Sequence, residues 1–132
     1  MKLVPYLVFQ GNCKEAMEFY KSCLEGELTI DTVENSPMES QMPPEMKNFV
    51  LNSQLDCKDF VIMASDAMGQ ETKTGDNISI MIMGSETEVE TFFNNLKEGA
   101  TIIQPLEKQF WGSVYGALID KFGISWSFNS MN

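Results

Sequence analysis

The chain has 132 residues, 43% of them hydrophobic, enough for one ordinary core and too many for a wholly disordered chain. Nineteen acidic against nine basic residues give a net charge of −10, and every basic residue is lysine, so both the field and the missing arginine forks argue against nucleic acid and anionic membrane surfaces as partners. No histidine is present, which removes the commonest metal ligand and the commonest general base at neutral pH.

Leu3 to Phe9 is a β-rich apolar run of strand length, too short for a signal-peptide core or a membrane span. After a Gln10-Gly11 turn, Asn12 and Glu15 have capping-box spacing, and Ala16, Phe19, Tyr20 and Cys23 form the buried stripe of a helix that Gly26 should stop. A long loop, Asn35 to Lys47, carries Met38, Met42 and Met46 around Pro43-Pro44; these read either as packing or as a flap over a binding site. Strands Phe49 to Leu55 and Phe60 to Ser65 then flank an Asp56-Cys57-Lys58-Asp59 turn, and Asp66 to Asn77 is a Gly-, Thr- and charge-rich connection. Cys13 and Cys23 share the first helix about 15 Å apart, too far for a disulfide, and with Cys57 they read as reduced thiols of a cytoplasmic protein.

The same order then recurs. Ile78 to Met83 is a second apolar strand, Ser85 and Glu88 a second capping box, Val89, Phe92, Phe93 and Leu96 a second stripe, and Gly99 a second stop. Asn12 and Ser85, Glu15 and Glu88, Phe19 and Phe92, Tyr20 and Phe93, and Gly26 and Gly99 are all 73 positions apart. Strands Ser113 to Ile119 and Ile124 to Asn129 flank Asp120-Lys121-Phe122-Gly123, 64 positions after their first-copy counterparts, so the Gln104 to Gly112 loop must be shorter than its equivalent. This predicts an α+β fold of two βαβββ repeats, about 1–66 and 77–132 of a single 132-residue domain, with curved mixed sheets around a cleft.

Candidate site residues come mainly from the second copy. Ile124-Ser125-Trp126-Ser127-Phe128-Asn129 alternates strictly, which predicts Ile124, Trp126 and Phe128 beneath the helix and Ser125, Ser127 and Asn129 on the other face, there either solvated or orienting a ligand. Phe110, Trp111 and the nearby Tyr115 suit an aromatic rim, a core plug or a dimer contact. Met63, Met81 and Met83 fall in strands and suit core filling; Met63 is also a candidate ligand contact. Glu39, Glu45, Asp66, Glu71 and Asp76 read as solvated loop charges, since no spacing pairs two of them for acid–base work, and Cys13 has no neighbouring base to make it a nucleophile.

Pro5-Tyr6-Leu7-Val8-Phe9, Gly11-Asn12, Glu15-Ala16, Phe19-Tyr20, Met42-Pro43-Pro44-Glu45-Met46, Met63-Ala64-Ser65-Asp66, Phe110-Trp111-Gly112 and Asp120-Lys121-Phe122-Gly123 with Trp126 occur in this order. Together they resemble the PhnB-like branch of the vicinal oxygen chelate superfamily, which includes glyoxalase I, extradiol dioxygenases and bleomycin-resistance proteins. The resemblance spans nearly the whole chain and implies a homodimer. It also implies metal-ligand positions on four strands, which fall at Pro5, Ile78, Met63 and Ser127, none of them His, Asp or Glu. No metal or other cofactor is therefore expected. The function implied is a metal-independent small-molecule binder with a partly apolar ligand, the alternative being a metal-dependent lyase or dioxygenase with an unusual site. Relatives of this branch are sometimes described as demethylubiquinone methyltransferases, but no Gly-rich strand-to-helix loop or parallel βαβ pattern supports that activity here.

Overall fold

A computed structural model describes residues 1–131. Its elements run β1 (Tyr6–Phe9), α1 (Cys13–Leu24), β2 (Glu27–Thr32), β3 (Val50–Asp56), β4 (Val61–Asp66), β5 (Ile80–Gly84), α2 (Glu86–Leu96), β6 (Thr101–Lys108), β7 (Val114–Ile119) and β8 (Ser125–Ser130). They form two compact units, Met1–Lys73 and Thr74–Asn132. Each holds one helix and one four-stranded sheet, ordered β1-β4-β3-β2 in the first and β5-β8-β7-β6 in the second. In both sheets the first strand pairs parallel with the last, and the remaining pairs are antiparallel. The α+β architecture of two βαβββ halves is the one the repeated spacing predicts.

In the first unit α1 buries Cys13, Ala16, Met17, Tyr20, Cys23 and Leu24 against β2, β3 and β4. The stripe is rotated from the expected one, leaving Phe19 half-buried at its edge, with its ring 5.9 Å from that of Tyr20. Phe92 holds the same edge position on α2, whose Val89, Phe93 and Leu96 are buried. The Phe93 ring meets Phe128 of β8 edge-on at 5.2 Å, which fixes the helix-covered face of the second sheet.

The two helices begin differently. Ser85 and Glu88 form the expected capping box, the Glu88 amide donating to Ser85 Oγ at 3.1 Å and the Ser85 amide to Glu88 Oε1 at 3.0 Å. Asn12, by contrast, makes no side-chain cap. The amides of Gly11 and Cys13 donate instead to Asp66 Oδ1 at 2.8 and 3.0 Å, and Asp66 Oδ2 accepts from the Val50 amide at 2.8 Å. Asp66 is therefore no solvated loop charge: it is buried at the end of β4 and ties the start of α1 to the start of β3. Ser130 occupies the matching place in the second unit and accepts from the Val114 amide at 2.8 Å.

The equivalent glycines also divide their work. Gly99 takes a left-handed backbone, φ 70°, just beyond α2, as the sequence predicts. After α1 the left-handed residue is Glu25, φ 57°, and Gly26 serves another need. A Cβ on Gly26 would lie 2.7 Å from the Asp56 carbonyl oxygen and 2.8 Å from Cys57 Sγ, so only glycine lets the chain pass there.

The shortened loop of the second copy is shorter still than expected, because Gln104 to Lys108 belong to β6. The connection from β2 to β3 runs from Val33 to Phe49, that from β6 to β7 only from Gln109 to Ser113. Register shifts between Ile102 and Gln104, and again between Gln104 and Glu107, absorb the surplus residues and accommodate Pro105 on this edge strand.

Removing the Asp66 carboxylate strands three backbone amides at once. Asp66→Ala should cost about 3–5 kcal/mol in urea unfolding, against about 1–2 kcal/mol for Ser130→Ala, which strands one. Equal costs for the two variants would contradict this account of the carboxylate.

Candidate functional site

The sheet face turned away from α2 collects most of the polar residues singled out in the sequence. Alternation along β8 puts Trp126 and Phe128 on the helix side, both buried, and Ser125, Ser127 and Asn129 on the other. Cross-strand register adds Tyr115 opposite Asn129, Ala117 opposite Ser127 and Ile119 opposite Ser125. From the other side β5 brings Met81 beside Ser127 and Met83 beside Asn129. Ser127 is only 4% exposed, and its hydroxyl shares a 2.8 Å hydrogen bond with that of Ser79.

Tyr115, Asn129 and Ser127 thus adjoin one another. Ser125 lies at the far end of β8, four residues or about 13 Å from Asn129. Phe110 and Trp111 sit on the Gln109–Ser113 turn that leads into the Tyr115 end of β7. Their rings stack edge-on at 4.8 Å, with Phe110 97% and Trp111 50% exposed, so they plug no core within the chain. Met63 belongs to the first unit, half-buried on β4 between Tyr6 of β1 and Gln54 of β3. Ser79, Met81 and Met83 were not candidate ligand contacts on sequence: apart from Ser79 the run Ile78 to Met83 is apolar on both faces, which hides its alternation.

Behind this face the sheet is braced by Asp120. Its Oδ2 accepts from the Trp126 indole nitrogen at 2.8 Å, and its Oδ1 from the Phe122 and Ile124 amides at 2.8 and 3.0 Å. This explains why a large indole can be buried in β8 without losing its hydrogen bond.

The superfamily's metal positions need one correction. Tyr6 pairs with Met63 and Met81 with Ser127, so the first strands are offset by 75 positions, not 73. The second-unit counterpart of Pro5 is therefore Ile80, and Ile78 lies outside β5. Ile80 pairs with Trp126 on the helix-covered side, so on the face of Met63 and Ser127 the first strands present Tyr6 and Met81, and Ser127 is already bonded to Ser79. Among the described residues no three His, Cys, Asp or Glu side chains stand close enough to hold a metal ion. These residues do not fit the superfamily's metal centre.

None of the three cysteines forms a disulfide. Burial pushes the Cys13 thiol up to about 12, opposed by a 3.7 Å contact with Ser53 Oγ and reinforced by the Asp66 charge. Burial and the Asp56 charge likewise raise Cys57. Neither thiol is set up to be a nucleophile.

Two βαβββ halves with mixed four-stranded sheets define the glyoxalase/bleomycin-resistance fold. An enzyme of the glyoxalase/bleomycin resistance protein/dioxygenase family from Burkholderia phytofirmans PsJN shares it with a TM-score of 0.65 at 14% identity, over 98% of this chain and 97% of that one. Within that class the chain belongs to the family described as 3-demethylubiquinone-9 3-methyltransferase, whose model matches residues 1–128. It is similar to protein PA1353 from Pseudomonas aeruginosa, 33% identical over 98% of this chain and 97% of that one, with a TM-score of 0.86. It is also similar to a PhnB protein from Bacillus cereus, 26% identical over 99% of this chain and all of that one, with a TM-score of 0.79.

The two tryptophans should respond differently to substitution. Trp126→Phe removes packing volume and the donor to Asp120, and should cost about 2–4 kcal/mol in urea unfolding. Trp111→Phe should stay within about 0.5 kcal/mol of the parent.

The Cys13 thiol yields a pH dependence whose sign is fixed. An acid held protonated in the folded chain and free to ionise when unfolded contributes stability below pH 9 that is lost as pH rises from about 9 towards about 12. The gap in unfolding free energy between parent and Cys13→Ala should change over that range by about 1.4 kcal/mol per pH unit. A constant gap would mean that Cys13 ionises normally in the folded chain.

Proposed function

We propose that this protein binds a small, partly apolar molecule without using a metal, on the open face of its second sheet. The observation that carries the reading is the grouping of Ser127, Ser79, Asn129 and Tyr115 on a face that also bears Met81 and Met83. Hydroxyl and amide groups orient a ligand, and the thioethers and the phenol ring supply apolar area that adapts to its shape. Phe110 and Trp111 extend this surface at the Tyr115 end, and Ser125 at the other.

A metal-dependent lyase or dioxygenase is the second reading, favoured only by fold, and the donor set described above argues against it. The methyl transfer in the family's description is not adopted. Gly11 is the one glycine between β1 and α1, and the β5-to-α2 link has only Gly84 at the strand end, neither forming a Gly-rich cofactor loop. We further propose a homodimer working in the cytoplasm. Thiols outside any disulfide suit that compartment, and no helix among the described residues is long and apolar enough to cross a membrane.

A thermal-shift screen of small neutral metabolites, run with and without EDTA, tests the site. A compound at a hundred times its Kd should stabilise the chain by about 2.7 kcal/mol. The shift should be unchanged by EDTA and weakened by Ser127→Val or Tyr115→Ala. Binding abolished by EDTA and restored by a divalent cation would establish the metal-dependent reading instead.

A further inference from the structure

We infer that the open face of the second sheet selects a ligand without negative charge that carries an N–H or O–H donor, which it receives on the side-chain carbonyl oxygen of Asn129. The inference rests on the reading of that face as a small-molecule site and adds the chemistry of the molecule. Among the described residues, Asn129 Oδ1 is the one side-chain polar atom that is buried and has no hydrogen-bond partner. Folding has taken this oxygen from water and given nothing back, a cost that native chains seldom carry without a use for the group.

Its position explains what the use would be. Asn129 sits between Tyr115 and Met83 on the face that carries the Ser127–Ser79 hydroxyl pair. The residue is itself only half-buried although the oxygen is hidden. Rotation about the soft terminal torsion of asparagine brings the oxygen to an incoming donor. An ether or ester oxygen at the same spot would add a second acceptor against the first and bring no proton.

Charge narrows the class further. On this face the residues of β5, β7 and β8 are Ser, Met, Asn, Tyr, Ala and Ile, and the one charge next to them is the Glu107 carboxylate of β6, opposite Tyr115. The face offers a carboxylate or phosphate no cation, and the net charge of −10 repels both. Alcohols, phenols, amides and amines with an apolar flank remain.

The test uses two probes with the same apolar body, 4-ethylphenol and 4-ethylanisole, titrated calorimetrically into the full chain. The phenol should bind about tenfold tighter than the ether, the worth of one good hydrogen bond. Asn129→Leu should bring the phenol down to the ether, while Asn129→Asp, which keeps an acceptor, should retain the preference. The Asn129 side-chain NH2 resonances of the parent should move with the phenol and not with the ether, a readout that needs no variant to fold. Equal affinities in the parent, or a preference that survives in Asn129→Leu, would overturn the donor requirement and leave the face standing as a site. If neither probe binds the parent by about 10 mM, both the requirement and the site reading fall.

Discussion

The Asp66 carboxylate is the point through which the first unit is organised. It stands at the end of β4, and its two oxygens take three backbone amides from two other segments. Two of these amides are at the start of α1, where the helix leaves donors unsatisfied and its dipole favours an anion. The third is at the start of β3. One buried side chain therefore sets where the helix begins, how the long β2-to-β3 connection re-enters the sheet, and how far β4 runs. The parallel pairing of β1 with β4 ends at the same residue, Phe9 facing Asp66.

The second unit reaches the same architecture with weaker and more local means. Ser130 replaces Asp66 and holds one amide, while Ser85 and Glu88 cap α2 from within its own first turn. The strand-to-helix turn is correspondingly tighter: Gly84 of β5 meets the cap residue Ser85 directly, where the first unit inserts Gln10 and Gly11 between Phe9 and Asn12. Those two residues account for the different offsets of helix and strand, and loop length and capping chemistry have diverged together.

The architecture was legible because it depends on periodicity. Helical stripes, the alternation of β8 and the Ser85–Glu88 spacing are local patterns, and each reports the face that is buried. The Asn12–Glu15 pair has the same spacing and does not cap; Asp66, more than fifty residues away, takes the neighbouring Gly11 and Cys13 amides. Gly26 reads as a helix stop, but its reason is a carbonyl oxygen on β3. The candidate site was partly legible: alternation puts Ser127 and Asn129 on one face, whereas the placement of Tyr115, Ser79 and Met83 beside them depends on cross-strand register. A two-residue difference in one turn was enough to misplace Ile78 for Ile80.

The parallel edge pairing also orders events in time. Tyr6 of β1 pairs with Met63, and Ile80 of β5 with Trp126, so each sheet closes between strands 57 and 46 residues apart. Closing such loops costs entropy before any contact repays it, and contacts of this span slow folding. During synthesis β1 and α1 must wait as an unpaired strand and an uncapped helix until the chain has reached Asp66. β5 waits likewise for β8, with Ile80 and Ile82 uncovered in the interval. Each half therefore assembles late and all together, with its first-made strand the last to find its place.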